Sequence, residues 1–132
     1  MKIEVLASEQ FGGSIAHQAG DFKKWMKKHH PAVEVVVPSD KPKFDLHDYS
    51  LIMPLVSLAA DMSLVNYLGF VVEYSKYCFR GNLKGESNEV TLTVIYEDSK
   101  QGKKKSFDFK GSVEALEKSI KKIDVNKFMD DN

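Results

Sequence analysis

Apolar and polar residues alternate over residues 2–7 (KIEVLA), with Ile3 and Val5 on one side, and the pattern stops at Ser8 and the Gly12-Gly13 pair. Period-two alternation sends successive side chains to opposite faces, so this segment predicts a first strand. The period then lengthens. Ile15, Ala19, Phe22 and Met26 recur at helical spacing with Trp25 beside them, while Lys23, Lys24, Lys27 and Lys28 take the other side. These positions predict an amphipathic helix with Ser14 as its N-cap, His29 and His30 at its negative end, and Pro31 enforcing the stop. The β-branched residues 33–37 (VEVVV) predict a second strand, which completes a β-α-β unit with a right-handed crossover if the strands are parallel. Residues 38–48, with Pro38 and Pro42, read as a loop.

Residues 51–72 contain a single formal charge, Asp61. Pro54 cannot sit comfortably inside a helix, and Ser57 is a usable N-cap just after it. The stretch therefore divides into an extended piece over 49–56 and a helix over about 57–79. After the turn-rich residues 81–88 (GNLKGESN), Val90, Leu92, Val94 and Tyr96 alternate, and Phe107 and Phe109 alternate with Ser106 and Asp108. The two runs predict an antiparallel hairpin with one wet face. Ser112 caps a last helix in which Val113, Leu116, Ile120 and Ile123 share a side, with Glu114–Lys118 and Glu117–Lys121 as i, i+4 pairs. The expected architecture is a mixed α/β (α+β) fold: a β-α-β unit, a long apolar helix, a β-hairpin and a C-terminal helix in a small two-layer sandwich. It forms one domain over residues 1–124, and residues 125–132 are expected to be a flexible tail.

The apolar run is long enough to span a bilayer. Asp61 near its middle would cost about 2.5–3.5 kcal/mol on insertion, and Pro54, Ser57, Ser63 and Asn66 add to that penalty, so no membrane span is expected. Two alternatives stay open, because the predicted helix is apolar on more than one side: central burial, or a surface for a protein partner or for self-association. Leu55, Leu58, Met62, Val65, Gly69 and Val72 form one 3-4 seam, with Leu64, Leu68 and Val71 off it. The candidate interaction residues are Leu55, Leu58, Met62, Val65, Leu68 and Val72.

Charge narrows the partners. The 132 residues carry 19 lysines and arginines against 19 aspartates and glutamates, and residues 1–50, 51–80 and 81–132 are each balanced as well. No global field draws in nucleic acid or anionic lipid, and the basic run at Lys103, Lys104 and Lys105 lacks exposed aromatics beside it, so no nucleic-acid partner is expected. The single cysteine, Cys78, offers neither an internal disulfide nor zinc-type spacing, and a cytoplasmic location is expected.

Candidate chemistry is sparse. Cys78 with His17, His29, His30 or His47 supplies the residue types of a nucleophile and base, but no local hydrolase signature surrounds them. Gly12, Gly13 and Ser14 follow a strand and open a helix, where backbone amides can hold an anion, yet the dinucleotide and P-loop patterns are both missing. His29 and His30 point about 100° apart on a helix and do not share one ion easily. Asp45, His47 and Asp48 have no second cluster to complete a coordination set. No catalytic residue, metal or cofactor is assigned.

Residues 22–26 (FKKWM), the apolar run over 51–72 and the hairpin-helix unit over 90–123 together resemble the effector-associated constant component family of bacterial conflict systems. The resemblance is one of element order and spacing and covers about four-fifths of the chain. It implies a non-enzymatic adaptor or trigger working through protein contact, and it brings no catalytic residues. The expected function is thus a protein-interaction domain acting through the apolar helix, in a bacterial conflict or defence system. The alternatives are a small-ligand or anion-binding domain using Gly12, Gly13 and Ser14, or an inhibitor encoded by a mobile element.

Overall fold

A computed structural model describes residues 1–7, 15–16, 18–38, 43–44, 51–80, 89–98 and 102–130. The elements in chain order are β1 (Lys2–Leu6), β2 (Ile15–Ala16), α1 (Gln18–His29), β3 (Glu34–Val36), β4 (Lys43–Phe44), β5 (Leu51–Ile52), β6 (Leu55–Leu58), α2 (Leu64–Cys78), β7 (Glu89–Asp98), β8 (Lys103–Ser112) and α3 (Val113–Asp130). The chain has the expected mixed α+β fold. Six strands form one sheet in which β3 pairs β1, β1 pairs β6, β7 pairs both β6 and β5, and β8 pairs β7, while β2 and β4 make a separate parallel pair.

β1 and β3 are parallel, as a β-α-β unit requires, with Ile3 opposite Val35. The hairpin is antiparallel with Leu92 opposite Phe109 and Val94 opposite Phe107, so the two alternating runs share a face. Gly102, at φ 64°, supplies the left-handed backbone at the start of β8. Ile3, Val5, Val35, Val56, Leu58, Val90, Leu92 and Val94 are all buried, and they are the positions that register places on one side of the sheet. The helices lie on this side, α1 beside β3, α2 over β7 and α3 beside β8, with α2 also packed against α3.

The apolar run is divided differently from the expectation. From Leu51 to Val56 the chain takes five steps, while its partner takes four from Val90 to Val94, so one extra residue is inserted between β5 and β6. Such a bulge changes the phase of a strand. Leu51 and Met53 before it, and Val56 and Leu58 after it, all reach the core, which unbroken alternation would forbid. Pro54 lies within the bulge, where its missing N–H leaves no ladder bond unmade, and the Met53 N–H still donates to the Thr91 carbonyl at 2.9 Å.

Ser57 is therefore a strand residue, paired with Glu4 and Ile95, and it caps no helix. The backbone of 55–58 is claimed by ladders on both sides. A turn over 59–62 follows, closed by the Met62 N–H on the Ala59 carbonyl at 2.9 Å, and Asp61 meets the Met1 ammonium there at 3.1 Å. Helix α2 begins only at Leu64, where Ser63 Oγ accepts from the Asn66 N–H at 3.1 Å. Ser63→Ala is expected to cost about 1 kcal/mol in urea denaturation, whereas Ser57→Ala should leave the helix content unchanged.

Two further boundaries move. Ile15 belongs to β2, so the amphipathic helix starts at Gln18, and the Ser14 cap lies outside the described residues. The last helix, capped as expected by Ser112 Oγ accepting from the Ala115 N–H at 3.1 Å, runs on through Asp130 past the expected end at 124. On that helix Glu117 pairs with Lys76 of α2 at 2.8 Å, which ties the two helices together. This contact holds the Glu117 carboxyl below its ordinary range, with Lys121 adding a smaller effect.

Candidate functional site

The residues expected to meet a partner are mostly core. Leu58, Met62, Leu68 and Val72 are buried, and Leu55 and Val65 are half-buried. The buried face of α2 is Leu64, Tyr67, Leu68, Val71, Val72, Tyr74 and Ser75, which includes the three residues placed off the seam. Leu55, Leu58 and Met62 precede the helix, so extending a helical seam through them selects the wrong face. Ser75, the buried polar residue on that face, donates from Oγ to the Val71 carbonyl at 2.6 Å. Among the described residues no helix is long and apolar enough to cross a membrane. The surplus of apolar residues on α2 is used by a sheet beneath it and a helix on either side.

α1 and α2 meet through rings. Phe22 packs edge-on against Tyr67 and Tyr74, with centroids 6.3 and 5.2 Å apart, and Trp25 packs edge-on against Tyr74 at 5.5 Å. Polar contacts flank this join: the Tyr74 hydroxyl donates to Gln18 Oε1 at 2.7 Å, and His30 Nε2 meets Glu73 Oε2 at 2.8 Å. His29 and His30 both lie against Trp25, and His30 also lies against Phe70 at 4.5 Å, so the adjacent histidines end the helix as ring contacts.

Beside the join lies a cleft of about 670 Å³. Helix α1 lines it with Gln18, Asp21, Lys24, Trp25, Lys28 and His29, which recur every three or four residues and so share one side of the helix. The end of α2 contributes Tyr74, Tyr77 and Cys78, and Arg80 follows just beyond. Tyr74 and Trp25 are nearly inaccessible and form the floor, whereas Tyr77 is 46% exposed. The Arg80 guanidinium sits 3.8 Å from the centre of the Tyr77 ring, and its Nη1 donates to the Tyr77 carbonyl at 2.9 Å. Two anchors thus hold this cation. Lys24 and Lys28 make no ion pair among the described residues. Three cations, of which Arg80 is the anchored one, stand against the single carboxylate of Asp21.

Cys78 belongs to this cleft, as does His29. Burial pushes the Cys78 thiol up; a hydrogen bond with Tyr74 works in the opposite direction, Asp21 raises it further and Arg80 lowers it. A thiol held protonated is a poor nucleophile at neutral pH. His17, His47, Asp45 and Asp48 lie outside the described residues, as does the Gly12-Gly13-Ser14 turn. Among the described residues no three histidine, cysteine, aspartate or glutamate side chains are grouped as metal ligands.

The phenols beneath the cleft make the protein sensitive to alkali. Burial raises Tyr67 and Tyr74 above the ordinary tyrosine value of 10.0, and for Tyr74 the neighbouring Cys78 and Asp21 add to the effect. In the unfolded chain these groups lose their protons near pH 10, while in the folded chain they keep them. Above that pH the unfolded state binds fewer protons, so stability falls as pH rises. Fully buried Tyr67, whose hydroxyl has no hydrogen-bond partner among the described residues, should contribute a loss of about 1.4 kcal/mol per pH unit. Urea denaturation at stepped alkaline pH should show this decline, and Tyr67→Phe should make it shallower. Parallel curves for the two proteins would mean that Tyr67 ionises freely in the folded state.

Comparison of the chain with models of known families, with curated proteins and with solved structures gives no match.

The cleft was not among the sites expected from sequence. Two signals point to it: Trp25 falls between Lys24 and Lys28 on the side of α1 next to the apolar stripe, and Tyr74, Tyr77 and Arg80 repeat every three residues at the end of the apolar helix.

Proposed function

We propose that the protein is a non-enzymatic binding domain whose recognition surface is the cleft between α1 and the end of α2. The observation that carries this reading is the unbalanced charge of the cleft. Lys24, Lys28 and Arg80 face one carboxylate, in a chain with no net charge, above a floor of Trp25 and Tyr74. A volume of about 670 Å³ is within the range of ligand sites, and a cluster of cations beside aromatic rings selects for negative charge. An adaptor or trigger, the role implied by the resemblance to the effector-associated constant component family, needs such an exposed surface once its apolar helix is committed to the core. The interaction surface is therefore assigned to the cleft in place of the α2 seam.

Titration of ¹⁵N-labelled protein with inorganic phosphate and with citrate tests the proposal. The amides of residues 18–29 and 74–80 should shift, and the shifts should vanish in a Lys24→Glu, Lys28→Glu, Arg80→Glu triple variant that keeps its fold. Shifts that persist in the triple variant, or no shifts in the wild type, would remove the cleft as the recognition surface.

A further inference from the structure

We infer, resting on the cleft as recognition surface, that its occupant is an extended acidic segment of a partner protein, bound along α1 with carboxylates on Lys24 and Lys28. Lys24 and Lys28 are one helical turn apart, about 6 Å along the axis. Alternate residues of an extended chain are about 6.6 Å apart and point the same way, so acidic residues at i and i+2 match the two ammonium groups. Arg80, held on Tyr77 across the cleft, is placed for a further carboxylate.

The polar groups between these cations favour a peptide over a phosphate backbone. Asp21 is a carboxylate in the cleft, an acceptor that suits a peptide N–H, a donor that a sugar-phosphate backbone lacks. Gln18 uses its Oε1 on the Tyr74 hydroxyl, which leaves its amide NH₂ to donate to a peptide carbonyl. The aromatic rings point the same way. Binding to single strands relies on open ring faces for stacked bases, but Tyr77 carries Arg80 at 3.8 Å and stacks with Tyr74 at 6.4 Å, and Trp25 is only 9% exposed. Other candidate surfaces are less suited to a partner strand: the outer edge of β8 begins with Lys103, Lys104 and Lys105, a run of charge that discourages strand addition.

The test uses four probes with the intact protein: a short peptide of alternating glutamate and threonine, a peptide of the same composition repeating two glutamates and two threonines so that no two glutamates are at i and i+2, an oligothymidylate of similar charge, and inorganic phosphate. The alternating peptide should bind tightest, shift the amides of 18–29 and 74–80, and weaken as salt is raised. Reversing Lys24 and Lys28 to glutamate together should weaken it about tenfold or more, at unchanged melting temperature. Asp21→Asn should tighten phosphate binding more than peptide binding, because both ligands are relieved of a repulsion while the peptide alone has a charge-assisted N–H bond weakened to a neutral one. Equal binding of the two peptides, or tighter binding of oligothymidylate, overturns the acidic-segment inference and leaves the cleft as an anion site. Binding of phosphate at the cleft without either peptide does the same. If no probe moves the cleft amides, the inference and the underlying function fall together.

Discussion

Leu68→Asp is expected to unfold the domain. Leu68 is fully buried on the inner face of α2, and the substitution removes its apolar contacts while placing a carboxylate in the core. The cavity alone is worth about 3–5 kcal/mol for a leucine, and an unpaired buried charge adds several more. Domains of this size are stable by about 5–15 kcal/mol, so the variant should show no cooperative unfolding transition at 25 °C. Asn66→Asp, two residues earlier on the exposed side, is the control and should lie within about 0.5 kcal/mol of the wild type. A partner-facing Leu68 would give a different result: a well-folded variant with altered association. Circular dichroism and a urea titration of both variants separate the two cases.

Phe22→Ala should have the next largest effect. Phe22 is fully buried, and its ring meets Tyr67 and Tyr74 edge-on at the centre of the contact between α1 and α2. Truncation of a core phenylalanine costs about 3–5 kcal/mol, part of it from the lost ring-ring contacts. The loss is local as well as global, because α1 is held by this join and by its contact with β3. Amide exchange in residues 18–29 should accelerate more than that in β7 and β8, and the cleft lined by α1 should lose its ligand at denaturant concentrations that leave the hairpin intact. Leu116→Ala, a comparably buried position on α3, should destabilise without singling out α1.

How far the sequence speaks for the fold depends on whether a segment is shaped by its own neighbours. The hairpin was legible because Val90, Leu92 and Val94 alternate against Phe107 and Phe109 and their register follows from a short connection. The Ser112 cap was legible for the same reason, since a capping hydroxyl acts over three residues. Residues 57 and 58, expected to open the helix, were not. Their composition suits either a helix or a strand, and strand pairing was decided by β1, some fifty residues earlier, and β7, nearly forty later. Pro54 does mark a break, and the break is a bulge between strands instead of the threshold of a helix. Ile15 was drawn into β2 by pairing with Lys43, another contact that helical spacing cannot reveal.

The site was less legible than the fold. In sequence, Lys24 and Lys28 belong to the solvated side of an amphipathic helix, which is accurate for α1 taken alone. They become part of a cleft only because Tyr74, Tyr77 and Arg80, about fifty residues on, are brought beside them. Pairing of Gln18 with Tyr74, and of His30 with Glu73, leaves no periodic trace in either segment. The apolar seam misled for a related reason. An all-round apolar helix can be enclosed by its own chain or by another, and only the positions of the sheet, α1 and α3 decide between them.

Helix α2 is buried against β7 and α3 and joined to α1, and the proposed recognition surface is the cleft instead of its apolar seam. Native-state hydrogen exchange of the α2 amides, measured across a wide range of protein concentration, tests this burial most directly. The amides of Tyr67, Leu68, Val71 and Val72 should exchange only through global unfolding, with protection that matches the denaturation free energy and does not change on dilution. Protection that is weak in dilute protein and rises with concentration would place α2 at an interface between chains and contradict the account.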